Sequence, residues 1–371
     1  MTVQIKSTVD QNRQMRVTIS DVSDALGLTK STVSRAMNDY PDISEGTRLK
    51  VRRMAEKMGY HPLSHAQAIR TGLTKSLGLI IQMADHDAHR PFLAEFLAGL
   101  SQGASAEGWT LTIAASDSAS ATETVFNDMI RNRKADGFIL PRAMVVDPRV
   151  SLLRNAGVPF VLFGRCPDQT GCAWFDVLGE DAMADAVVHL AKLGHERIGF
   201  INGGMQYTYA PLRRDGYLKA MQAAGLTPAV AHMREGAVTE KMGAAYARDI
   251  LRRPHPPTAI VCAVDKAALG VYSAAAEFGL KIGSDLSVIS YDGIPEGAHA
   301  TPPLSTYAVD YTASGQRLSA LLIRRIKGEA PEALRETVRA TFLDRGSAGP
   351  PRLTSDELMR KIAAGGQGKT I

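Results

Sequence analysis

The sequence is poor in the residues that build disulfide-stapled or metal-dependent proteins. Its three cysteines, Cys166, Cys172 and Cys262, stand among 371 residues. They have no CxxC spacing, and their odd number argues against a disulfide framework, so they read as small buried residues. The nine histidines form no HExxH pair, and no metal or cofactor is expected. No GxSxG nucleophile elbow or phosphate loop appears. The stretch GFINGG at 199–204 lacks the GxGxxG spacing and reads as a strand with a turn. An enzyme is therefore not expected. No run of about 18 apolar residues offers a membrane span. The opening MTVQIKSTVDQNRQMR is polar and lacks the apolar stretch of a secretory signal, which places the expected protein in the cytoplasm with no membrane partner.

The chain does carry charge, and carries it unevenly. Residues 1–75 hold twelve Lys/Arg against seven Asp/Glu, and the rest holds 31 of each, so the whole net charge of +5 lies in the first fifth. A basic terminal module on a neutral body suits contact with a polyanion, because cationic faces gain affinity by displacing phosphate counterions. A merely solvated face is the alternative.

The pattern inside that module narrows the choice. Thr18 is placed to cap a helix, with Asp21 at its positive end. Ile19, Val22, Ala25 and Leu26 then share one face. Gly27 ends the helix, and Thr29 restarts a second one whose inward positions are Val33, Ala36 and Met37. Its opposite face holds Lys30, Ser31, Ser34, Arg35 and Asn38, all polar. A third helix follows Ser44, with Val51, Met54, Ala55 and Met58 as its buried stripe. Two short helices about a glycine turn predict a helix-turn-helix whose second helix enters the major groove of double-stranded DNA. Lys30, Ser31 and Arg35 are the expected base readers, Arg35 being suited to guanine. Ser20, Thr29, Thr32, Ser34 and Asn38 suit phosphates, which set register. An ordinary helical hairpin is the bland alternative.

Residues 17–72, from VTISDVSDALGLTKSTVSRAMN to GYHPLSHAQAIRTG, resemble the headpiece and hinge of the lactose/galactose repressor (LacI/GalR) family without a gap. The resemblance implies an all-α helix-turn-helix headpiece joined to an α/β two-lobed periplasmic-binding-protein-like core. It adds Tyr60 to the DNA-contacting residues. It also implies a hinge at 61–73 that orders on DNA, with Ile69 in the place of a minor-groove wedge and Ala66 as the small residue allowing close approach. Packing between domains is the other reading of Ile69. The family wedge needs two copies, so a homodimer on a near-palindromic operator is implied.

From Ser76 strands and helices alternate, which means parallel sheets covered by helices. Two such sheets in sequence imply two lobes with a cleft at the strands' carboxyl ends. Segment 304–343 is expected to cross back and complete both lobes, with ETVRATFL (336–343) as one strand. The blocks LAKLGHERIGFING, RRDGYLKAM and DLSVISYD extend the resemblance over roughly 18–345. The resulting division is a flexible extension at 1–16, headpiece at 17–60, hinge at 61–73, core at 74–345 and a flexible tail at 346–371.

In such regulators an effector closes the lobes and the motion reaches the hinges. The resemblance places Arg213 and Asp292 at the effector, a guanidinium and a carboxylate suited to hydroxyl groups. Asp265 matches a family Asp, although Val264 replaces its Asn neighbour and Val238 replaces a stacking tryptophan, both departures speaking against a galactoside. Phe92, Arg165 and the link Trp174-Phe175-Asp176 are further cleft candidates. Turn or helix capping remains open for Asp292 and Asp265, and plain packing for Trp174. The expectation is a DNA-binding repressor gated by a small carbohydrate-like effector. The alternatives are a cytoplasmic solute-binding protein or a regulator sensing a purine or other non-sugar metabolite.

Overall fold

The computed structural model describes residues 17–60, 72–82 and 92–366. It divides into two compact units, residues 1–74 and 75–371.

The first unit is built from α1 (Ile19–Leu26), α2 (Lys30–Met37) and α3 (Glu45–Met58). Each starts on a hydroxyl cap: Thr18, Thr29 and Ser44 accept from the backbone N–H of Asp21, Thr32 and Thr47. Thr18 and Asp21 cap each other reciprocally, which satisfies two otherwise orphaned donors. Gly27 closes α1 at φ +61, a left-handed conformation that glycine adopts without penalty. Val22, Val33, Ala36 and Val51 form the buried centre, with Tyr60 packed at its edge. One expectation is corrected here. Ala25 is exposed, and Ser23 is buried in its stead. The Ser23 hydroxyl donates to the Ser20 carbonyl at 2.8 Å, so its polarity is satisfied within the helix.

The second unit begins with β1 (Ser76–Gln82), α4 (Leu93–Ala106), β2 (Thr110–Ser116), α5 (Ala119–Arg131), β3 (Gly137–Leu140), α6 (Pro148–Asn155), β4 (Phe160–Phe163) and β5 (Ala173–Val177). There follow α7 (Gly179–Lys192), β6 (Ile198–Ile201), α8 (Tyr209–Ala223), β7 (Met233–Arg234), α9 (Glu240–Leu251) and β8 (Ala259–Cys262). The chain continues through α10 (Asp265–Glu277), β9 (Ser287–Asp292), α11 (Pro295–Ala298), β10 (Ser305–Ala308) and α12 (Tyr311–Ile326). It ends with β11 (Arg335–Val338), β12 (Thr341–Leu343) and α13 (Ser355–Gly366).

Two sheets result, ordered β11-β5-β4-β3-β1-β2 and β12-β10-β9-β8-β6-β7. All neighbours run parallel except β12, which is antiparallel to β10. The chain passes between lobes after β5, after β10 and after β11. Helix α12 returns to the first lobe, where the Ser319 hydroxyl donates to the Leu100 carbonyl of α4 at 2.9 Å. The single strand expected over 336–343 is thus two, β11 and β12, one in each sheet. Periodicity cannot see such a break, since both pieces alternate in the same way.

Two further expectations are corrected. The segment Ala173–Val177 is strand β5 inside the first sheet, not a link between lobes. Residues 346–366 are packed rather than flexible: Leu358 and Ile362 of α13 lie buried among Ile250, Leu251 and Phe278 of the second lobe. Ser347 donates its hydroxyl to the Val288 carbonyl at 2.6 Å. Two apolar residues one helical turn apart, in a polar run, are enough to dock this helix. Among the described residues, no helix is long and apolar enough to cross a membrane.

Candidate functional site

Helix α2 presents the polar face expected of it. Lys30, Ser31 and Arg35 are exposed, while Val33 and Ala36 are fully buried beneath them. Three of the proposed phosphate ligands are already partly engaged. The Thr29 and Thr32 hydroxyls lie 2.9 Å apart, and Asn38 Nδ2 donates to the Ser34 carbonyl at 2.7 Å. Arg35 pairs with Asp42 at 2.7 Å, and its guanidinium stands 5.1 Å from the Tyr40 ring centroid. The pairing with Asp42 had no signal in the sequence, because it depends on how residues 38–43 turn back over α2. Ser20 is half-buried beside Ser23. Tyr60 donates its backbone N–H to the Ala55 carbonyl at 2.8 Å. Ala66 and Ile69 lie outside the described residues.

The second unit holds a cavity of about 170 Å³ between its lobes, an order of magnitude above the roughly 10–15 Å³ that one water needs. Its walls come from the carboxyl ends of strands in both sheets, where open α/β folds bind ligands. Phe92, Arg165, Arg213 and Asp292 all line it. Asp265 and Trp174 do not.

Arg213, on α8, is buried. Its guanidinium carbon lies 3.7 Å from the Tyr291 ring centroid and 4.5 Å from that of Tyr209, and Nη1 donates to the Ala263 carbonyl. Its Nε has no hydrogen-bond partner, which is costly for a buried donor. A side chain at Gly179 would bring Cβ within 2.7 Å of this Nε, so the glycine makes room for the guanidinium. Asp292 ends β9 at φ +127, a strained conformation for a residue other than glycine. Its Oδ1 accepts from the Tyr311 hydroxyl at 3.2 Å. Burial pushes the Asp292 carboxyl above its ordinary value, and Arg213 and Arg142 oppose that shift.

Arg165 donates Nε to Asp176 at 2.6 Å and Nη2 to Glu180. Asp176 belongs to the first lobe and Glu180 to α7 of the second, so this arginine ties the lobes together inside the cleft. Burial raises the Asp176 carboxyl despite the facing guanidinium. Phe92 stacks on Tyr311, ring centroids 4.7 Å apart. Beside them the lobes clasp through backbone: Val145 N–H donates to the Gln206 carbonyl at 3.0 Å, and Thr208 N–H donates to the Ala143 carbonyl at 3.0 Å.

Two predicted cleft residues sit elsewhere. Asp265 is fully buried; its Oδ2 accepts from the N–H of Gly293 and of Ile294, each at 2.9 Å, and its Oδ1 accepts from the Thr306 hydroxyl at 2.8 Å. It holds the turn that positions Asp292 rather than facing a ligand. Trp174 packs in the apolar layer under α5 and α6, with Phe126, Leu153 and Leu162; it shares a face of β5 with Asp176, but its ring is taken up by the helical layer before the strand reaches the cleft. Sequence reasoning overlooked Arg142, Tyr207, Tyr209 and Tyr311. Arg142, at φ +52, places its guanidinium 5.4 Å from the Phe92 centroid and 5.3 Å from the Tyr207 centroid. Its position directly after an apolar parallel strand was the available signal.

Comparison with known proteins agrees with both halves of this picture. Residues 18–63 match the model of bacterial regulatory proteins of the lacI family, and residues 187–348 match that of the periplasmic binding protein-like domain. The chain is 33% identical to the HTH-type transcriptional regulator AglR of Rhizobium meliloti (strain 1021) over 347 residues, 91% of this chain and 95% of that protein. A solved complex of the transcriptional regulator CelR with cellobiose is similar at TM-score 0.70 and 26% identity, over 90% of this chain and 100% of that one. The lac repressor dimer bound to operator and the anti-inducer ONPF is similar at TM-score 0.74 and 25% identity, over 90% of this chain and 99% of that one.

Proposed function

The chain belongs to the lacI family of bacterial regulatory proteins and is a DNA-binding transcriptional regulator; from that premise we propose that it is a homodimeric repressor gated by a neutral, hydroxyl-rich sugar held between its lobes. Lys30, Ser31 and Arg35 read operator bases, and the polar residues around them hold phosphates. Arg142, Arg165, Arg213 and Asp292 hold the sugar.

The observation that carries the sugar reading is the internal balance of charge in the cleft. Arg165 is matched by Asp176 and Glu180, Lys266 by Glu296, and Arg213 and Arg142 both act on the Asp292 carboxylate. A site built to seize a phosphate leaves cations uncompensated, as paired guanidiniums lose much of their pull on an added anion. Paired donors and acceptors between aromatic walls instead suit a ligand with alternating hydroxyls and an apolar ring face. The cavity volume admits a ligand of one or two sugar rings. The neighbour solved with cellobiose supports the same class.

The test is thermal unfolding of the full chain against mono- and disaccharides, sugar phosphates, purines and amino acids. A ligand at a hundred times its dissociation constant stabilises its target by about 2.7 kcal/mol, a readily measured shift. A neutral sugar should produce it and should release operator DNA. A shift from a purine or a sugar phosphate alone would overturn the sugar reading.

A further inference from the structure

Two of the three cysteines face each other beneath the turn that joins β4 to β5. Cys166 Sγ and Cys172 Sγ are 3.7 Å apart. Both are buried, yet the intervening Pro167, Asp168 and Thr170 are exposed, so a single layer of turn covers them. Arg154, on α6, donates Nη2 to Cys172 Sγ at 3.5 Å and to the Thr170 carbonyl at 2.7 Å. Its Nη1 pairs with Asp168 at 2.8 Å. Cys166 Sγ lies 2.9 Å from the Asp168 carbonyl, so its single proton is shared between that oxygen and Cys172 Sγ. The two sulfurs therefore differ: one has a guanidinium beside it and the other has only a carbonyl.

That asymmetry is the arrangement of an attacking and a resolving thiol, since a neighbouring cation favours the thiolate form. Hydrogen bonding from Cys166, aided by Arg154, brings the Cys172 thiol down to about 7, while its partner is pushed up. Two small packing residues would need neither sulfur nor the arginine. Cys262, in contrast, lies fully buried in the second lobe with its thiol raised by burial.

We propose that Cys166 and Cys172 form a redox-active dithiol that a hydroperoxide oxidises to an intramolecular disulfide. The Cys172 thiolate attacks the peroxide, forming S–O as O–O breaks; the leaving oxide takes the proton Cys172 gave up and departs as water or alcohol. Cys166 sulfur then attacks the Cys172 sulfenic acid, forming S–S as S–O breaks, and its own proton leaves with that hydroxide as water. Two thiols are oxidised and one peroxide is reduced. Closing the sulfurs from 3.7 Å to a bond of about 2.05 Å draws on the residue after Arg165, whose guanidinium ties the lobes at Asp176 and Glu180. The dithiol is thus placed where its oxidation pulls on the cleft wall.

The experiment uses the reduced full chain and hydrogen peroxide, with diamide as a second oxidant. Denatured thiols should fall from three to one and return to three with dithiothreitol. The tryptic peptide 166–192 should become two hydrogens lighter, while Cys262 stays free. Trp174, which packs in one cluster with both cysteines, should lose fluorescence as the disulfide forms. Cys172→Ser, checked against wild type by circular dichroism, should show no loss of hydrogens. Three persistent thiols, a bond to Cys262 or to a second chain, or sulfinic acid without cross-linking would each overturn the proposal. None of those outcomes touches the assignment as a regulator, because neither sulfur lies in the headpiece or lines the cleft.

Discussion

The guanidinium of Arg213 lies 3.7 Å from the ring centre of Tyr291, a stack made between α8 and the residue of β9 just before Asp292. The aromatic face holds a planar cation in place without using all of its donors, and Nε is left unpaired. Arg213 lines the cavity, so a ligand acceptor that reaches the guanidinium gains a charge-assisted hydrogen bond.

Arg213→Ala should therefore weaken effector binding about 10- to 100-fold, the equivalent of the roughly 1.5–3 kcal/mol of a hydrogen bond to a charged group, and leave operator binding in place. Arg213→Lys should recover little, because an ammonium neither stacks nor forks. Calorimetric titration with the sugar found by the screen decides this. Undiminished affinity in Arg213→Ala removes the residue from the site.

The Arg35–Asp42 pair is about half exposed on both sides, and such pairs contribute at most about 1 kcal/mol. Operator DNA can displace Asp42 cheaply. Asp42→Asn should raise DNA affinity by no more than about fivefold, whereas Arg35→Ala should abolish selectivity among operators. Competition binding against random DNA at fixed salt distinguishes the two. Equal footprints for wild type and Arg35→Ala would show that the arginine reads nothing.

Leu358 is fully buried against the second lobe. Leu358→Ala should cost about 2–5 kcal/mol, and removal of residues 346–371 should leave a poorly folded core. Denaturant unfolding measures both. A truncated chain as stable as the whole would mean that α13 docks without contributing.

His195 lies between three partners: Nδ1 is 2.8 Å from the Thr258 hydroxyl, and Nε2 is 3.1 Å from the Ser287 hydroxyl and 2.9 Å from the Gly349 carbonyl. A carbonyl only accepts, so Nε2 carries the proton and Nδ1 accepts from Thr258. Burial lowers the pKa of this imidazole below its ordinary 6.5. The unfolded chain then binds the extra proton first, and stability rises with pH through that window. The contribution is whole above about pH 6.5 and disappears as pH falls through the folded value. His195→Gln should flatten this part of the stability profile between pH 5 and 7.5. Parallel profiles for variant and wild type would refute the assignment.

What this sequence determined alone is local. Thr18, Thr29 and Ser44 cap their helices, and Gly27 stops the first, because those groups act within one turn of chain. The valines and methionine of the headpiece core follow from helical spacing. The alternation of strands with helices dictates parallel sheets, and the return of 304–343 to both lobes was legible in outline. The cleft was legible only where a family pattern pointed, at Arg213, Asp292, Arg165 and Phe92.

The tertiary structure decided the rest. Asp265 opens α10 just past β8 and Asp292 ends β9, yet one is committed to Gly293, Ile294 and Thr306 while the other faces the cavity. Trp174 and Asp176 belong to the same strand face, but the Trp174 ring is taken up by the helical layer and Asp176 by Arg165. Arg142 and Tyr311 meet Phe92 from segments far apart in the chain. Caps and periodicity act over a few residues, so a sequence displays them. Which carboxylate finds a buried donor, and which ring finds a hole, is settled by elements that approach only once both sheets have closed on their helices.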